Sequence, residues 1–98
     1  MSIKSDTDFD IKLDQPKQYH VFMLNDDYTS WDFCLRIIIH VFHKSLEEAD
    51  DITNDIHTKG KGLCGTFSYE IAETKADIVV QKARQEGFPM RCSVEPAS

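Results

Sequence analysis

The chain predicts a single compact α+β domain, a three-stranded sheet packed against three helices in the order β-α-α-β-α-β. Three observations carry this. Apolar residues alternate with period two over Tyr19–Leu24, then switch to helical spacing after each of three serines, Ser30, Ser45 and Ser68. Gly60 and Gly87 stand where the second and third helical stretches run out. Finally, 98 residues suffice for one hydrophobic core but not for two. Helices laid on an antiparallel-containing sheet are the layered solution for that order.

Each element has its own signal. Tyr19-His20-Val21-Phe22-Met23-Leu24 reads as the first strand. A helix follows from about Ser30 to Phe42, opened by Thr29 and Asp32 in capping-box spacing, with Asp in place of the usual Glu or Gln. Trp31, Cys34, Leu35, Ile38 and Val41/Phe42 form its core stripe, while Phe33, Ile37 and Ile39 leave so little polar surface that burial on more than one side is expected. Ser45-Leu46-Glu47-Glu48 is a clearer capping box. The helix it opens places Leu46, Ala49, Ile52 and Ile56 on one face. Leu63–Phe67 forms a short strand, Ser68 caps a third helix with Ala72, Ala76, Val79 and Ala83 facing inward, and Arg91–Glu95 closes the sheet. Residues 1–18 carry scattered Ile and Leu among Asp and Lys, with Pro16, and read as a flexible N-terminal extension. Residues 19–98 are the folded domain.

Composition removes several function classes. A formal net charge of -6 argues against nucleic acid, whose phosphates reward clustered Lys and Arg, and favours cations or basic surfaces. No apolar run approaches the ~20 residues of a membrane span, and no signal sequence opens the chain, so a cytoplasmic protein is expected. Cys34, Cys64 and Cys92 are odd in number and lack a CxxC pair, which fits small buried hydrophobes rather than a disulfide or redox motif. His40 and His43 share a helix face but find no third ligand at metal-binding spacing. No nucleophile stands beside a base, and there is no phosphate loop or cofactor motif, so neither catalysis nor a cofactor is expected.

The most informative segment is the turn between the first strand and the first helix, Leu24-Asn25-Asp26-Asp27-Tyr28-Thr29-Ser30. Two carboxylates and an amide oxygen supply acceptors and negative charge without a nucleophile. That suits a cation, either a metal or an ammonium group. As bare residue types, the same turn also fits a plain Asx cap, and His57 fits a helix-dipole partner.

The segments Asn25-Asp26-Asp27-Tyr28-Thr29, Ile56-His57-Thr58-Lys59-Gly60-Lys61-Gly62-Leu63-Cys64-Gly65, Glu70-Ile71-Ala72-Glu73-Thr74-Lys75-Ala76 and Ala83-Arg84-Gln85-Glu86-Gly87-Phe88-Pro89-Met90 resemble, in order and spacing, the ClpS family of bacterial adaptor proteins. The resemblance runs from about Tyr19 to Glu95. It implies the ClpS fold, shared with the C-terminal domain of the ribosomal stalk protein, and a non-enzymatic adaptor. Such an adaptor binds proteins with a destabilising N-terminal residue (Leu, Phe, Tyr or Trp) and delivers them to a Clp ATPase–protease. The α-amine-binding residues map onto Asn25, Asp26 and His57, with Asp27 and Thr29 shaping the turn. The hydrophobic pocket maps onto Trp31, Cys34, Ile37, Thr53, Ile56 and Met90. Glu70 and Lys75 map onto the surface that docks the N-terminal domain of a ClpA-like ATPase, and the N-terminal extension onto a segment that communicates with it.

Charge-assisted hydrogen bonds of about 1.5–3 kcal/mol each and a similar gain, about 1.5–3 kcal/mol, from burying one apolar side chain leave a micromolar-scale binder after association costs. Three positions depart from the family pattern: Trp31 and Thr53 stand where Met is usual, and Met90 replaces Leu. The alternative implied by the fold is a docking domain without a peptide pocket, which would not need Asn25, Asp26 and His57 together.

Overall fold

Tyr19–Leu24 forms strand β1 because its alternation gives it one face to bury: Val21 and Met23 are fully buried, while His20, Phe22 and Leu24 on the opposite face keep partial exposure. The computed structural model describes residues 17–97, so the expected extension lies, apart from Lys17 and Gln18, outside the described residues. After β1 come helix α1 (Trp31–Phe42), helix α2 (Leu46–Lys59), strand β2 (Lys61–Phe67), helix α3 (Tyr69–Gln85) and strand β3 (Cys92–Pro96). The sheet order is β2-β1-β3, and both pairings are antiparallel. Val21 faces Gly65 and Phe22 faces Leu63, so Cys64 is the extra residue of a bulge in β2.

The expected element order is met, with local corrections. Ser30, not Thr29, is the N-cap of α1; its hydroxyl accepts from the Phe33 amide at 3.1 Å. The Thr29–Asp32 box does not form because each side chain has a charged partner, which makes the stronger bond. The Thr29 hydroxyl donates to Asp26, and Asp32 accepts from Arg36. The Ser45–Glu48 box forms in both directions, whereas Ser68 holds the N-cap position of α3 without a side-chain bond. Burial of α1 on more than one side is observed: Phe33, Cys34, Ile37, Ile38, Val41 and Phe42 are all buried. Two expected core residues instead face solvent, Trp31 at 40% exposure and Leu46 at 65%. Each is the first residue of its helix.

Cys34 and Cys64 are buried and Cys92 is half-buried, all three as free thiols. Burial pushes the Cys92 thiol up to about 12 and, aided by the Asp26 charge, the Cys34 thiol up to about 11. These are inert packing groups.

Helix α2 approaches β2 so closely that Gly62 has no room for a side chain. A Cβ there would sit 2.7 Å from the Ile52 carbonyl oxygen and 2.7 Å from Ile56 Cγ1. Gly62→Ala is therefore expected to cost about 1–3 kcal/mol by forcing α2 off the strand. Denaturant unfolding checks this: an unchanged midpoint and slope would show that α2 can lift without loss.

Candidate functional site

Two backbone hydrogen bonds at the end of β1 assemble the site. The Leu24 amide donates to the Arg91 carbonyl at 2.9 Å, which brings the segment carrying Met90 beside the turn. The Asn25 amide donates to the Gly60 carbonyl at 2.9 Å, which brings up the C-terminal end of α2 and His57 with it. Neither contact is local in sequence.

Asp26 organises the turn. Its Oδ1 accepts from the Tyr28 and Thr29 amides, both at 2.7 Å, and its Oδ2 accepts from the Thr29 hydroxyl at 2.7 Å. Partial burial alone would raise its pKa. The Thr29 hydroxyl, the two amides and the nearby His57 outweigh that and hold the carboxyl below its ordinary value. A carboxylate has about four lone-pair sites, so one on Oδ2 stays open. Asp26 thus both builds the turn and carries its charge, which is more than an exposed turn position would suggest. Thr29 is buried, while Asn25 and Asp27 are exposed.

His57 is oriented with equal definition. Its Nδ1 lies 2.9 Å from the Thr53 carbonyl oxygen, one turn earlier on α2. A carbonyl can only accept, so Nδ1 carries a proton, and in the neutral form of the ring that tautomer leaves Nε2 bare as an acceptor. The Trp31 indole stacks on the imidazole with centroids 4.8 Å apart and 30° between planes, joining the first turn of α1 to the last turn of α2. The partner carbonyl of Thr53 is not a side-chain feature, and sequence reading missed it; the i, i+4 spacing of Thr53 and His57 was the available signal.

The remaining expected pocket residues lie inside the core. Cys34, Ile37, Thr53, Ile56 and Met90 are between 0% and 4% exposed. The Thr53 hydroxyl donates to the Ala49 carbonyl at 2.7 Å, so the residue offers its methyl group to its surroundings. Three surface clefts lie elsewhere: about 350 Å3 between α2 and β2, about 210 Å3 on the α1–α3 seam, and about 510 Å3 beside Leu46. Of the expected pocket residues, Ile37 alone lines any of the three, the seam cleft.

Glu70 is exposed in the first turn of α3. Lys75 is folded back. Its ammonium donates to the Val41 carbonyl at 2.7 Å and lies 5.4 Å from the Phe67 ring centroid. It thereby satisfies one of the carbonyls that the end of α1 leaves open. No group of three or more His, Cys, Asp or Glu side chains among the described residues is placed to hold a metal ion.

Comparison with known proteins fits this architecture. The family model for "ATP-dependent Clp protease adaptor protein ClpS" matches residues 14–93. The chain belongs to the ClpS family. The ATP-dependent Clp protease adapter protein ClpS of Helicobacter hepaticus is 49% identical over 90 residues, 92% of this chain and 91% of that one. Its counterpart in Oleidesulfovibrio alaskensis is 44% identical over 97 residues, 97% of this chain and 93% of the relative. The structure of Agrobacterium tumefaciens ClpS2 bound to L-phenylalaninamide superposes with a TM-score of 0.80 at 33% identity, covering 84% of this chain and 99% of that one. ClpS proteins are adaptors rather than enzymes, so this chain is a regulator of a Clp protease. Among the described residues, no helix is long and apolar enough to cross a membrane.

Thr29→Val preserves shape and removes one of the three donors on Asp26. It is expected to cost about 1 kcal/mol, toward the low end for a bond to a partly solvated charge. Because the fold depresses the Asp26 pKa, this stabilisation is fully present above the ordinary value of 3.8 and is lost as pH falls through the folded value below it. The gap between wild type and variant in urea unfolding should therefore be wide near about pH 6 and narrow progressively as pH falls below 3.8. A gap that stays constant would remove the carboxylate as the relevant partner.

Proposed function

We propose that this ClpS-family chain recognises peptides and proteins that begin with Leu, Phe, Tyr or Trp and delivers them to a ClpA-like ATPase in the cytoplasm. The observation that carries the reading is the match of acceptors at the turn to an α-ammonium group. That group has three N–H donors and one positive charge. Asn25 offers an amide oxygen, Asp26 a free lone pair on Oδ2, and His57 the lone pair of Nε2, with the negative charge supplied by Asp26. L-phenylalaninamide, the ligand of the A. tumefaciens relative, has a free α-amine, a benzyl side chain and an amide in place of a carboxylate. It reproduces the chemistry of an N-terminal Phe.

The first side chain enters between Cys34 and Ile37 of α1, Thr53 and Ile56 of α2, and Met90. Asp27 and Thr29 shape the turn beside it. Trp31 sits at the entrance, held against His57, and is bulkier than the Met common in the family. A rigid indole there rejects β-branched first residues, which are widest at Cβ.

Calorimetric titration tests both points. Peptides with a free N-terminal Leu or Phe are expected to bind, and N-acetylated copies, which lack the charge and two donors, are expected not to. Equal affinity for the two would eliminate the site. In the same experiment, Trp31→Ala is expected to admit Ile and Val at some cost to Leu and Phe. Wild-type affinity for Ile equal to that for Leu would show that Trp31 is no gate.

The docking surface for the ATPase N-terminal domain is assigned to Glu70 and Lys75. Lys75 touches Val41, about 15 Å along α1 from Trp31, so this surface lies toward the far end of α1 from the peptide site. Glu70→Ala is expected to weaken docking without changing stability. Lys75→Ala is expected to weaken docking and also cost about 1 kcal/mol, because the Val41 carbonyl loses its donor. Peptide affinity should survive both changes; a fall in either variant would show that the two surfaces are not separate.

A further inference from the structure

Arg36 on α1 makes a forked contact with Glu86, the C-cap residue of α3. Nη1 donates to Oε2 at 3.0 Å and Nη2 to Oε1 at 2.8 Å. The third edge of the guanidinium is fixed as well, since Nε donates to Asp32 Oδ2 at 2.8 Å. A single exposed ion pair holds little, but a two-bonded fork braced by a second carboxylate has one geometry. Hydrogen bonds from Arg36 hold the Glu86 carboxyl below the ordinary range despite some opposing desolvation.

Position gives this fork its meaning. Directly after Glu86 the chain turns at Gly87, with φ +81°, and the Phe88 amide closes back on the Ala83 carbonyl at 2.8 Å. Phe88 then meets Phe33 of α1 edge-to-face at 5.4 Å, and Met90 is buried two residues on. Cys34 and Ile37 stand on the α1 side, Met90 on the other, and Arg36 lies between those two α1 positions in sequence. The α1–α3 seam is pinned at its other end by Lys75 on the Val41 carbonyl. Close packing does not fill it in between: the cleft of about 210 Å3 opens there, lined by Arg36, Ile37 and Glu86 among others. The fork therefore bridges a gap that apolar contact leaves open.

We infer that the Arg36–Glu86 fork is a positioning element that sets the spacing between α1 and the Phe88–Met90 segment, and through it the size of the first residue the pocket accepts. The inference rests on the proposed recognition of peptide N-termini. Releasing the fork lets the segment swing from α1, widening the pocket, so selectivity shifts from Leu toward Phe.

The test titrates full-length wild type, Arg36→Met, Glu86→Ala and the charge-exchanged double variant R36E/E86R with peptides identical except for a first Leu or Phe. An N-acetylated peptide is included throughout. Each single variant is expected to raise the Phe-to-Leu affinity ratio about two- to fivefold, the range open to an exposed pair. The exchanged pair should return the ratio toward wild type. In about 1 M salt, where screening reaches ~3 Å, the wild-type ratio should drift the same way, a measurement that needs no variant to fold. A ratio unchanged in every variant, even with lowered melting temperature, would reduce the fork to a stability feature and overturn the inference, as would a shift toward Leu. If wild type binds acetylated and free peptides alike, the proposed function falls and the fork's role falls with it. If only the free peptide binds and the ratio is fixed, the function stands and the fork inference alone is lost.

Discussion

Both outer strands pair with β1, and β1 has one face to bury, so every other element is placed by what this strand requires. Its inward residues Val21 and Met23 are fully covered, which commits all three helices to the same side of the sheet. Its last amides then reach outward, to Arg91 on one side and Gly60 on the other. A backbone donor at the end of a central strand must find an acceptor, and here the two acceptors come from segments far apart in the chain. The meeting of the Asn25–Thr29 turn, the end of α2 and the Met90 segment is a by-product of finishing those hydrogen bonds.

Within that frame the site has few free variables. The Asp26 carboxylate is held by three donors, so its charge is fixed in place before any ligand arrives. The His57 ring is turned by the Thr53 carbonyl and pressed by the Trp31 indole, which puts a proton on Nδ1 and sets the plane of the ring. Such preorganisation lowers the ordering cost of binding and suits recognition of a small group like an ammonium. The proposed apolar side differs: Cys34, Ile37, Thr53, Ile56 and Met90 belong to the folding core, so under that proposal stability and recognition draw on the same side chains.

Several charges that composition would assign to a solvated surface link separate elements of the structure. Lys75 satisfies an open carbonyl of α1 and rests near two aromatic rings. Lys61 spans β2 to β3 through Glu95 and lies 4.2 Å from the Phe22 ring centroid. Arg36 joins α1 to the end of α3. In a chain of net charge -6, cations are the scarcer partner, and these three each tie two elements together.

Local physical chemistry made much of this legible in advance. The alternation of Tyr19–Leu24, the Ser45–Glu48 box and the glycine stops follow from steric and hydrogen-bonding rules that act within a few residues, and the structure contains each of them. The acidic turn could be read as a cation site, and its motifs pointed to the family the chain belongs to. What the sequence could not decide was competition between partners. Thr29 had the spacing to cap α1, but the Asp26 carboxylate took its hydroxyl and left the cap to Ser30. Nothing near Lys75 in the chain signals its carbonyl partner, which the end of α1 supplies only in the fold. Trp31 fell on the core stripe by spacing, yet stands outside it, stacked on a histidine 26 residues away. Periodicity fixes which way a side chain leaves its own helix. Which neighbour it meets there depends on how the elements pack, and that was decided by the tertiary structure alone.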